Sequence, residues 1–181
     1  MLQLLNLLAV AAGSVAIAAV SLWNLSAAYS YADLIHIARA IEQNPTVTPD
    51  ALLDAVAGYR SDDVIGTCLD DPTKAFMSIR LAELKRRVDN MASDREIAEA
   101  RNLALSSVNH RLACAPVDGN AWLYRAELLA DLQPRAVAVK DALRQSYLYA
   151  PAEDWVLWNR FGFTSKFLDP DDADLATFIR A

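Results

Sequence analysis

Chemistry in this chain would have to come from few side chains. It has 2 His, 2 Cys and 5 Gly in 181 residues. His36 and His110 lie far apart, and neither joins Cys, Asp or Glu at zinc-ligand spacing. Asp169, Asp171, Asp172 and Asp174 look like the opening of a calcium loop, yet the turn glycine and the closing bidentate glutamate are missing. Acids at the start of a helix, where its dipole favours them, explain that run better. No glycine set forms a phosphate-cradling loop, and no serine sits in a strained nucleophile turn. The expectation is therefore a non-enzyme with no metal and no cofactor. Cys68 and Cys114 leave two readings open. Either they form a disulfide, which would put the domain in an oxidising compartment, or they are two buried free thiols.

What the chain does carry is aromatic side chains, crowded between Trp122 and Phe167. Residues two apart on a helix cannot share a face, so one of Trp122 and Tyr124, and one of Tyr147 and Tyr149, should be exposed or at a groove edge. Exposed Trp and Tyr contribute large contact area with little rotamer entropy, which suits a protein interface. Trp122, Tyr124, Arg125, Tyr147 and Trp158 are the candidate partner-binding residues; filling the joints between repeats is the competing use of the same rings.

The elements that must position them repeat. Ala115-Pro116-Val117-Asp118-Gly119-Asn120-Ala121-Trp122-Leu123 returns 35 residues later as Ala150-Pro151-Ala152-Glu153-Asp154-Trp155-Val156-Leu157-Trp158. In each copy Ala-Pro closes one apolar segment and an acid two places on can cap the next helix, which makes a helix-turn-helix unit. Helices are expected over about 48–60, 71–90, 93–114 (opened by a Ser93–Glu96 capping box), 118–132, from near Pro134 to Tyr149, and 153–163. A short closing helix follows Asp169-Pro170, and Asn44-Pro45 is a candidate earlier copy of the repeat mark. No segment alternates like a half-buried strand, so the fold class is all-α.

Residues 1–32 hold no charged side chain, and Leu2 to Leu25 is long enough for a membrane span of about 20 residues. Trp23, Tyr29 and Tyr31 follow where aromatic rings favour the interface. A cleaved signal peptide ending at Ser26-Ala27-Ala28 fits less well, because basic residues are absent from its start and the apolar run is too long. The anchor is expected to continue as an amphipathic helix to about Gln43. The organisation is thus 1–43, transmembrane anchor and amphipathic helix, then 44–181, a helical-repeat domain clearest over about 100–165. The net charge of -6 and a single basic triplet, Lys85-Arg86-Arg87, disfavour nucleic acid.

The run Cys114 to Leu123, closed by Ser146-Tyr147-Leu148-Tyr149-Ala150-Pro151, resembles tetratricopeptide-like proteins of bacterial envelopes, and is similar to membrane-anchored proteins associated with exopolysaccharide assembly. The resemblance implies an α-solenoid adaptor or scaffold behind a transmembrane helix in the inner membrane. Its soluble domain would be periplasmic and would bind protein partners in polysaccharide export or another envelope machine. The alternative is an accessory subunit of a larger membrane complex, packing through small residues such as Ala12, Gly13, Ala16 and Ala19 of its span. An enzyme or a direct glycan binder is a third class, which convergent carboxylates in a deep pocket would favour.

Overall fold

The computed structural model describes residues 2–43, 66, 68–133 and 136–167, with backbone alone for 2–10, 24, 27, 28 and 165–167. The expected helices over 48–60 and after Asp169, and the Asn44-Pro45 copy, lie outside the described residues. Among the described residues the chain is all helical: α1 Leu2–Ser30, α2 Ala32–Gln43, α3 Asp70–Asp89, α4 Asp94–Cys114, α5 Gly119–Ala130, α6 Val137–Tyr149 and α7 Asp154–Phe167.

The N-terminal helix does not run unbroken to Gln43. It turns at Tyr31, just after Ser30 Oγ donates to the Ser26 carbonyl at 2.9 Å. Such back-bonding competes with the backbone ladder and bends helices. Beyond the turn, α2 buries Leu34, Ala38 and Ile41 against Ala75, Phe76 and Ile79 of α3. Burying each large aliphatic is worth about 2 kcal/mol. By packing, α2 therefore belongs with the helical domain. By contrast Val15, Ile17, Val20, Leu22, Trp23 and Leu25 of α1 are all exposed. Among the described residues no helix is long and apolar enough to cross a membrane.

Helices α3 and α4 form an antiparallel hairpin. Its turn is a Schellman cap: Ala92 N–H donates to the Arg87 carbonyl and Met91 N–H to the Val88 carbonyl, both at 3.0 Å. Met91 takes the left-handed conformation this cap needs (φ 51°) and is 90% exposed. Glycine meets that requirement without the Cβ clash, so Met91→Gly should raise stability by about 1 kcal/mol in denaturant titration. On the other side of the turn Ser93 and Glu96 close the expected capping box. The Ser93 hydroxyl and the Ser93 N–H both donate to Glu96 Oε2, at 2.7 and 3.0 Å, and hold the exposed carboxyl below its usual range.

Helices α5 and α6 form the second hairpin, and α7 lies against α5. Asp118 caps α5 by accepting from Ala121 N–H at 3.0 Å. Helix α5 stops at Ala130, two residues short of the expected end, and α6 opens at Val137 rather than near Pro134. Helix α7 passes through Gly162 to Phe167, since a single glycine costs a helix only about 1 kcal/mol.

The 35-residue sequence period reappears in burial. Ala104 and Val139, Val108 and Leu143, Ala121 and Val156, and Leu128 and Phe163 are four pairs at that spacing, and no member is more than 4% exposed. The period does not extend to α3, which has 20 residues where α5 has 12. The α5–α6 hairpin is closed at its open end by a near contact: a Cβ on Gly119 would lie 2.5 Å from Ala150 Cβ and 2.8 Å from its backbone nitrogen. Backbone cannot retreat as a flexible side chain can. Gly119→Ala should therefore lower stability by about 2 kcal/mol in a thermal or denaturant melt, although alanine is the better helix former.

Candidate partner-binding groove

Two buried arginines fasten the helices together, one between the two hairpins and one between α7 and the end of α6. Arg111, 7% exposed at the end of α4, donates through Nε to Asp118 at 2.8 Å, and through Nη1 to Thr73 Oγ1 at 3.0 Å and the Asp70 carboxylate at 2.6 Å. One side chain thus ties the start of α3 to the cap of α5. Burial opposes its charge, but Asp118 and Asp70 outweigh that and hold the guanidinium above its ordinary value. Arg160 of α7, 1% exposed, donates to Ser146 Oγ and to the Ser146 and Ala150 carbonyls at 3.1, 2.5 and 2.6 Å. It satisfies the end of α6, where helical carbonyls lack partners, and stacks 4.4 Å from the centroid of the Tyr147 ring. Burial pulls its pKa below the usual guanidinium value.

Held this way, α3, α5 and α7 line an open groove of about 500 Å³. Leu81, Leu84, Lys85, Val88 and Asp89 come from α3; Tyr124, Glu127, Leu128 and Asp131 from α5 and its cap; Trp158, Asn159, Gly162 and Phe163 from α7. The floor is apolar, and Trp158 stands 75% exposed at one wall. Lys85 pairs with Asp89 at 2.5 Å, and Asp131 with Arg101 of α4 at 3.4 Å. Tyr124 is pushed above its ordinary pKa, first by burial and then by the charge of Glu127.

Of the five candidates read from the sequence, the groove brings together Tyr124 and Trp158. The other three lie elsewhere. Trp122 packs between the two hairpin cores, donates to the Pro116 carbonyl at 2.8 Å and sits 5.3 Å under the Arg125 guanidinium. Tyr147 is held under Arg160. Tyr149 is exposed as its spacing from Tyr147 required, and of the other pair Tyr124 lies at the groove while Trp122, like it half-buried, packs into a different seam of α5. Leu81, Leu84, Val88, Glu127 and Asp131 escaped a reading that followed aromatic density. Their helical spacing marks one face of each helix, without indicating that the two faces meet.

No family model, curated protein or solved structure matches the chain. The site is thus read from its own geometry.

Among the described residues no three His, Cys, Asp or Glu side chains come together to hold a metal. His36 is exposed on α2, and His110 Nε2 lies 3.7 Å from Cys114 Sγ. Cys114 is bonded to Cys68, which pins the chain entering α3 to the end of α4. The Lys85-Arg86-Arg87 triplet closes α3, where cations suit the helix dipole, and Arg87 reaches Glu96 at 3.2 Å.

Proposed function

We propose that this chain is a non-enzymatic, membrane-anchored adaptor that captures a segment of a partner protein in the groove between α3, α5 and α7. That groove, open, apolar-floored and built from three separate helices, is the observation that carries the reading. The matching burial at 35-residue spacing supports an α-solenoid of tetratricopeptide type, whose stacked units present such a surface.

The anchor is α1. Its described side chains from Ala11 fall short of a span on their own, but the sequence adds Leu2, Leu4, Leu5, Leu7, Leu8 and Val10 ahead of them. The whole 29-residue helix is about 43 Å long and is apolar all round rather than along one face, as a helix in lipid would be. The Cys68–Cys114 bond supports an oxidising, periplasmic setting for the domain. We place the protein in the inner membrane, serving partners in polysaccharide export or another envelope machine.

After an alkaline carbonate wash the full chain should stay with the membrane pellet, and a variant lacking residues 2–30 should be released. Release of the full chain by carbonate would refute the anchor. A second reading, an accessory subunit packing through α1, is favoured by its small residues Ala12, Gly13, Ala16 and Ala19, which let another helix approach closely. Replacing Leu2 to Leu25 by an unrelated span spares function under the first reading and abolishes it under the second.

A further inference from the structure

Helix α7 matches α5 on one side and departs from it on the other. Ala121 and Leu128 of α5 are buried towards the preceding hairpin, and their counterparts 35 residues on, Val156 and Phe163, are buried towards α5 and α6 in the same way. A second stripe of α5, made of Leu123, Ala126 and Ala130, is buried with Val139, Ala142 and Leu143 of α6. The counterparts of Leu123 and Ala126 are Trp158 and Phe161, and these stand 75 and 70% exposed. With Asp154 and Leu157 they line a mostly apolar hollow along α7. Contiguous exposed apolar surface of this kind marks a place where something packs. On α5 the same place is filled by α6.

The sequence after α7 has the pattern of the missing element. Residues 168–181 lie outside the described residues and follow α7 directly. Shifted by 36 residues, one more than the repeat, Val139, Ala142 and Leu143 of α6 fall on Leu175, Phe178 and Ile179. These three are spaced as one face of a helix, and Thr177 and Arg180 fall off that face. Asp169 and Pro170 supply a cap and a first-turn proline, Asp171 and Asp172 suit a helix start, and Arg180 suits its end. A second copy of the chain is the weaker occupant. It would bring a net charge of -6 against its own sign, whereas a segment tethered by a few residues acts at an effective concentration on the order of millimolar.

We propose that residues 170–181 form a closing helix that packs on α7 as α6 packs on α5, seating Leu175, Phe178 and Ile179 against Trp158 and Phe161 and completing a third hairpin. Trp158 lines both this face and the groove, and its indole is wider than the leucine it stands for, so one edge is covered while the other stays at the groove. The third hairpin forms whether or not a partner uses the groove.

Hydrogen exchange on the full chain in zwitterionic detergent should show the amides of residues 172–181 exchanging at least a hundredfold more slowly than in a synthetic peptide of residues 168–181. In a second readout, Phe161→Cys should react with a maleimide at least tenfold more slowly than Arg95→Cys, an exposed position on α4. Deleting residues 168–181 should bring the two rates together. Phe178→Asp with Ile179→Asp in the full chain should do the same, and reads the point even if the shortened chain folds poorly.

Exchange of those amides at the rate of the free peptide overturns the proposal. So does protection of Phe161→Cys that persists after the deletion, since detergent or another part of the chain then covers the face. Protection that fades as the protein is diluted makes the occupant a second copy, and overturns the proposal as well.

Discussion

Arg111→Met should lower the stability of the helical domain by about 3 kcal/mol, read as a shift in denaturant midpoint at unchanged slope. Methionine keeps much of the aliphatic volume, so the loss is mainly that of the bonds. Three partners are involved, and they differ in weight. Asp70 is 73% exposed on its side chain and its pair with Arg111 is screened by water, so it contributes little. Asp118, 16% exposed, and Thr73, 2% exposed, would be left partly or wholly buried without their donor. Asp118 keeps its bond from Ala121 N–H, which holds the effect at the lower end of the range for broken buried pairs. Combining Arg111→Met with Asp118→Asn should cost clearly less than the sum of the two changes, as expected of partners in one network. A loss below 1 kcal/mol would show that α3 and α5 are held together without this side chain.

Removing the disulfide should cost more. Cys68 and Cys114 are separated by 46 residues, and closing a loop of that length restricts the unfolded chain by about 4 kcal/mol on the chain-entropy estimate. Cys68→Ala with Cys114→Ala, and separately the unaltered protein in reductant, should lose stability by the same amount. Agreement between the two routes matters, because the alanines remove thiol packing while reductant leaves it in place. If reduction costs under 1 kcal/mol, the bond does little for the fold and is weak support for a periplasmic setting.

The all-α class was legible because nothing in the sequence alternates and because stop and start signals are strong. Ala115-Pro116-Val117-Asp118 ends one helix and caps the next within four residues, and Ser93 to Glu96 opens α4 by chemistry local to one turn. Boundaries that no capping residue marks were missed. The break at Tyr31 depends on a serine bonding back to a carbonyl, and the late start of α6 has no side-chain cap to announce it. The groove was half legible for the same reason. Tyr124 and Trp158 stand out by residue type, whereas Leu81, Val88, Glu127 and Asp131 are ordinary helix-surface residues until α3 and α5 are packed together. Trp122, Arg125 and Tyr147 drew attention by composition, yet two of them hold joints and the third covers one of those rings. Nothing in the sequence around Arg160 marks it as buried. Only the geometry of the α6 end turns it into a fastening.

The measurement that most directly tests the adaptor account is site-specific photo-crosslinking in cells that make the full-length protein. A benzoyl-phenylalanine would be placed at Leu81 or Trp158 in the groove, and at Arg95 or Leu103 on the exposed side of α4. The account predicts one discrete protein adduct from both groove positions, none from α4, and the same adduct when Leu2 to Leu25 is replaced by an unrelated span. Adducts arising equally from α4, or vanishing with the native span while the groove is intact, would contradict it.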